Sequence, residues 1–153
     1  MEVRAHRGTQ QTDSSDALSA ALAAEHAAIF GYGAVGGHLD RAGQDAARQA
    51  ETAHRNRRDA LVVRIAAASA SPPAAAPAYA LPFPVTDRTS ALKLAVALEE
   101  GAAQAWRQAL PATSGNDRRL ALDALMDCAV QATRWRRSAG ILPPTVPFPG
   151  APA

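Results

Sequence analysis

The eleven prolines of this 153-residue chain are gathered in two places: five lie between Ser71 and Asp87, five between Ile141 and Ala153, and only Pro111 falls elsewhere. Proline inside a helix removes a backbone donor and clashes with the preceding turn, so long helices fit only in the proline-free stretches. Apolar residues recur at helical spacing throughout those stretches. The pattern predicts an all-α chain of four long helices.

The first helix is expected to begin near Asp13 to Asp16, where a capping box fits, and to run to about His38. Leu18, Leu22, Ile29 and Tyr32 form its apolar stripe. The second, about Gly43 to Ala70, carries Ala47, Ala50, His54, Leu61 and Ile65 on one side; Arg48, Arg55 and Asp59 mark a solvated face, with Glu51 to Arg55 spaced for pairing. A third runs from about Thr89 to Leu110 behind a capping Asp87. The fourth spans Asn116 to Ser138, with Ser114 and Asp117 at capping-box spacing. Pro111 and Gly115 keep the turn between the last two short, which makes them antiparallel neighbours.

The connection from the second helix to the third decides the topology. A helix of about 24 residues is about 36 Å long, and the proline-rich Ser71 to Asp87 segment, at about 3.1 Å per residue, reaches roughly 50 Å. It can therefore run the full length of a bundle, which is the long crossover of ferritin-like connectivity. Tyr79, Leu81, Phe83 and Val85 suit packing along a surface better than free linkage. The crossover run Leu81-Pro82-Phe83-Pro84-Val85 is echoed in the tail by Val146-Pro147-Phe148-Pro149-Gly150, and both should dock in extended form. The expected organisation is a flexible segment over 1–12, a helical domain over 13–140 and an extended tail over 141–153.

Charge narrows the function classes only a little. Sixteen basic residues, all but Lys93 arginine, stand against fourteen acidic ones. The arginines of the second and fourth helices are interspersed with acids, which disfavours nucleic acid as a partner. Met1 to Gln11 contains no secretory apolar run, and no stretch approaches about 18 uninterrupted apolar residues, so no membrane association is expected and a cytoplasmic protein is the default. Cys128, the single cysteine, reads as a small buried hydrophobe. Two apolar proline-rich arms on an Ala-rich bundle leave surface to cover, for which a homodimer is the expectation.

Acids on apolar stripes carry the functional signal. Glu25, Glu51 with His54 one turn later, and Glu99 all fall on faces expected to be buried. A carboxylate left dry there is costly, so it must be protonated, paired or bound to a cation. Carboxylates from separate helices with a Glu-x-x-His step are how di-metal bundles hold their ions.

Several runs together resemble one family: Ala24-Glu25-His26-Ala27-Ala28-Ile29-Phe30-Gly31-Tyr32-Gly33, Ala53-His54-Arg55, Arg57-Arg58-Asp59-Ala60-Leu61, Tyr79 to Asp87, Leu98-Glu99-Glu100-Gly101 and Pro147-Phe148-Pro149-Gly150. They look like the ferritin-like domains of unknown function of bacteria with G+C-rich genomes. The resemblance implies a ferritin-like four-helix bundle that self-associates and has no established activity. Against the wider di-iron pattern, Glu25, Glu51 to His54 and Glu99 match three helices. The fourth departs from it, offering only Asp123, Asp127 and Gln131, and no histidine follows His54.

Four readings follow. Glu25, Glu51, His54 and Glu99 hold one divalent ion, or two with Asp127 substituting at reduced length, and their oxygen and imidazole donors suit Fe, Mn or Zn. Alternatively the site is vestigial, Glu25 and His54 bonding to each other while an arginine such as Arg58 or Arg107 balances a second carboxylate. The interior can also be a pocket for an unidentified small molecule, or the chain a binding or assembly component. His26 and His38 are expected at the flank and at a helix end, Trp106 and Trp135 in the core or an interface, and Glu100 more exposed than Glu99.

Overall fold

The structure is a computed structural model that describes residues 2–152, and the side chains of residues 11–152. Four helices make up the regular structure: α1 (Glu2–Gly36), α2 (Arg41–Ala67), α3 (Arg88–Ala112) and α4 (Gly115–Ser138). No strand occurs among the described residues.

Helix ends follow local chemistry, with three departures from expectation. Asp40 caps α2 by accepting from Gly43 N at 2.8 Å, and Asp87 caps α3 in a reciprocal box with Ser90. The first departure is at α1, whose span begins at Glu2, so the exposed Asp13 and Asp16 stand within the helix rather than at its start; the flexible segment expected over 1–12 falls mostly outside the described side chains. In the second, Ser114 is the N-cap residue of α4 but makes no side-chain cap. Its expected partner Asp117 instead accepts from Arg64 of α2 at 2.5 Å, an ion pair outweighing a local turn bond. Third, Pro111 lies in the last turn of α3 rather than beyond it. Side chains serve the final carbonyls of that turn: Thr113 Oγ1 donates to Ala109 O at 2.8 Å and Arg118 Nε to Leu110 O at 3.1 Å.

α1 lies against both α2 and α3, and α3 against α4. Glu25 meets Trp106 whereas Tyr32, further along α1, meets Glu99, so α1 and α3 are antiparallel. Glu25 likewise meets His54 and Arg57 while Tyr32, Gly33 and Gly36 lie with Gln44 and Ala47, so α1 and α2 are antiparallel too. Gly31 permits the close approach of α1 to α3, since a Cβ there would fall 2.6 Å from Leu98 Cδ2. α2 and α4 are not in close backbone contact along their length.

Two apolar clusters fill the bundle. One gathers Leu18, Leu22, Leu61, Ile65, Trp106, Leu125 and Cys128; the other gathers Tyr32, Val35, Leu39, Leu92, Leu94 and Trp135. Leu81, Phe83 and Val85 pack against the second, the Tyr79 ring lies tilted against Phe30 with centroids 5.6 Å apart, and Pro73 O accepts from His26 Nε2 at 3.2 Å. The segment after α2 is thus held to the bundle by its apolar residues. In the tail the same Pro-Phe-Pro pattern turns the other way. Phe148 is 69% exposed, while Arg107 holds Pro149 O at 3.1 Å and Gly150, at φ +72°, leaves no room for a side chain against Ala103 O.

By length and mean hydropathy α1 over Gln11–Gly36 does meet the measure of a membrane span, which the count of uninterrupted apolar residues did not anticipate. Alanine raises the mean without making a continuous greasy run. This helix carries a fully buried, ion-paired Glu25 and packs along α2 and α3 as a core helix.

Candidate functional site

Between the two apolar clusters lies a polar one. Glu25, His54 and Glu99 are each at most 1% exposed, and the structure brings all three together. They sit where their helices turn the same stripe inward: Glu25 between Leu22 and Ala28, His54 between Ala50 and Leu61, Glu99 between Ala95 and Ala102.

His54 is the hub. Its Nδ1 donates to Glu25 Oε2 at 2.6 Å and its Nε2 to Glu99 Oε1 at 3.2 Å. Both ring nitrogens face carboxylate oxygens, an arrangement that the doubly protonated ring satisfies. Burial works against that charge, but the hydrogen bonds and charges of Glu25 and Glu99 outweigh it and raise the His54 pKa above its ordinary value. For Glu25 burial pushes upward, and the His54 bond with the charges of His54 and Arg57 overcomes it, holding the carboxyl below the usual range.

The remaining partners come from residues that the pattern assigned to packing or passed over. Arg57 Nε donates to Glu25 Oε1 at 2.9 Å and Trp106 Nε1 to the same oxygen at 2.6 Å. Arg57 Nη2 stands 2.9 Å from His54 Nδ1, a contact of two donors that Glu25, bonded to both, compensates. A relay continues across the core: Trp135 Nε1 donates to Tyr32 OH at 2.8 Å, and Tyr32 OH donates to Glu99 Oε1 at 2.5 Å. Burial first, then the Glu99 charge, keep the Tyr32 hydroxyl protonated. Two carboxylates face an imidazolium and a guanidinium, so the cluster is neutral as a whole. One atom is left over: Glu99 Oε2 is buried and meets no N–H or O–H donor, with only the weakly donating Cys128 thiol bearing on Glu99.

Two expectations need correction. Glu51 does not join the cluster; it is half-buried and accepts from Arg55 Nη2 at 2.6 Å, because the i,i+4 arginine reaches it along the solvated face. The balancing arginine is Arg57, since Arg58 pairs with Asp59 at the surface and Arg107 holds the tail. Arg57 was legible in principle, standing three residues after His54 and four before Leu61 on the buried stripe. Glu100 is more exposed than Glu99, as expected, and pairs with the buried Arg136. His26 is half-buried at the flank; His38 is exposed and bonded to Ala34 O, at the end of α1.

The donor set does not fit a metal ion. Glu25 Oε2 and Glu99 Oε1 lie on opposite nitrogens of His54, with the imidazole between them, so they do not converge on one point. Arg57 delivers its positive charge to the carboxylate oxygen a cation would use. Among the described residues no three His, Cys, Asp or Glu groups are arranged to hold an ion. Cys128 is buried within the cluster's field, and burial first of all pushes its thiol well above the ordinary range, so no thiolate is on offer.

A family model described as a domain of unknown function, DUF4439, matches residues 17–153. A solved structure, that of a conserved hypothetical protein, rv2844, from Mycobacterium tuberculosis, is similar at a TM-score of 0.80 and 39% identity, over 83% of this chain and 97% of that one. No curated protein matches the chain.

Proposed function

The chain belongs to the DUF4439 family, and we propose that it is a ferritin-like bundle whose di-metal centre has been exchanged for a closed ionic cluster, working as a non-catalytic binding protein. Support for the ferritin-like part comes from chain direction. α1 is antiparallel to both α2 and α3, so α2 and α3 run the same way, a chain direction that favours reading the 68–87 connection as a long crossover.

The observation that carries the reading is Arg57 Nε on Glu25 Oε1. Where a di-metal bundle needs carboxylates free to coordinate, this chain supplies its own cation, and His54 spends both nitrogens on the two acids. The alternative of metal-dependent redox chemistry would require both to move.

Metal analysis tests it. Protein purified without chelators and then exposed to Fe(II), Mn(II) or Zn(II) is expected to hold well below one equivalent after desalting. Near-stoichiometric metal that disappears in Glu25→Ala overturns the proposal.

A further inference from the structure

α2 and α4 do not close on each other, and the gap between them is a cleft of about 410 Å³. Ala50 and Ala53 of α2 form one wall, their small side chains leaving space where the helices stand apart, and Val130 and Trp135 of α4 form the other, with the exposed Asp127, Arg134 and neighbouring Gln131 lining its polar part. Arg64 and Asp117 tie the same two helices together nearer one end. Glu99 and Arg57 line the cleft from within. It therefore opens onto the polar cluster at the residue whose Oε2 meets no N–H or O–H donor.

We infer that this cleft binds a small neutral molecule with an apolar body and a single O–H or N–H donor, the donor ending on Glu99 Oε2. The volume is that of a small-ligand site, and a buried carboxylate oxygen without an N–H or O–H donor is a costly state that a ligand N–H relieves. Charge decides the class. Glu25 and Glu99 are already balanced by His54 and Arg57, and the exposed Asp127 and Arg134 that also line the cleft carry one charge of each sign, so a cationic ligand would bring an uncompensated charge to the buried cluster, and an anion would face Glu99 itself. The inference rests on the metal-free reading above, since a coordinated ion would claim the same oxygen.

Indole is a suitable probe because it is neutral, donates through one N–H and accepts through no lone pair. Benzofuran keeps the shape and lacks the donor; tryptamine adds a positive charge. Titrated into isotope-labelled full-length protein and followed by amide chemical shifts, indole is expected to move the resonances of Ala50, Ala53 and Val130. It should bind about tenfold more tightly than benzofuran. Glu99→Gln should remove that preference, and Ala53→Leu, which fills the cleft and leaves Glu99 in place, should remove binding while the spectrum stays folded. Equal affinity for indole and benzofuran, shifts elsewhere on the bundle, or tryptamine binding as well as indole would each overturn the inference. Metal content measured on the same sample separates the two failures. Bound metal sinks the metal-free reading, whereas metal-free protein that ignores indole sinks this inference alone.

Discussion

Arg57→Met removes the one cation that reaches Glu25 from outside the imidazole, and its cost can be worked from the surroundings. The arginine is buried with its Nε 2.9 Å from Glu25 Oε1. Removing one partner of a buried pair costs about 3–5 kcal/mol when the other charge is stranded. Here Glu25 keeps Trp106 and His54, both at 2.6 Å, so the lower end, about 3 kcal/mol, applies. Methionine retains the aliphatic stem, which keeps the cavity contribution small. In urea unfolding the midpoint should fall with the slope unchanged, and in a thermal scan the loss corresponds to roughly 6–12 °C. Glu25→Gln in the Arg57→Met background supplies the second leg. Because the pair is in contact, the double variant should be less destabilised than the sum of the singles by about 1–3 kcal/mol. A single-variant cost under about 1 kcal/mol, or strict additivity, would mean that Arg57 is solvated and that the cluster is not balanced as described.

Stability should also depend on pH in a direction set by two groups. His54 binds its proton more tightly in the folded chain than its ordinary value of 6.5, so its contribution is full below about that pH and is lost as pH rises through the raised folded value. Glu25 is held below its ordinary 4.5, so its contribution is full above that and lost as pH falls through the lowered value. The cluster is strongest between those limits, and His54→Gln should flatten the alkaline side of the chemical-denaturation profile; an unchanged alkaline limb would count against the charged imidazole. Two glycines should respond in opposite ways. Gly101→Ala, exposed in α3 with nothing within 4 Å, should stabilise by about 0.5–1 kcal/mol, whereas Gly150→Ala, whose Cβ would fall 2.5 Å from Ala103 O, should free the tail and speed its amide exchange. Equal exchange in the tail of Gly150→Ala and the parent chain would refute the docking of that segment.

Much of this architecture could be read from residue order, and the exceptions share a cause. Proline placement and helical period marked all four helices, and an acid on an apolar stripe at Glu25 and Glu99 marked the site. Period alone treats every position of a turn alike. It could not tell that Glu51 would be drawn outward by Arg55, or that Arg57, within a run of arginines, would be drawn inward. Those choices depend on which neighbours arrive across the bundle. Tyr32, Trp106 and Trp135 were legible as core, but their polar atoms found work only once three helices had converged. Asp117 was likewise claimed by Arg64 from another helix rather than by its own turn.

The open seam beside α2 makes the bundle's resistance to local opening uneven. α3 has close backbone neighbours on two sides, α2 on one, and between the apolar clusters that Leu61 and Ala50 of α2 enter, α2 is fastened to α3 through His54 and Glu99. Ionic fastening weakens with titration, while apolar contact does not. Amides of α2 should therefore exchange through a partial opening that leaves the α3–α4 hairpin closed, and that opening should become easier as His54 loses its proton.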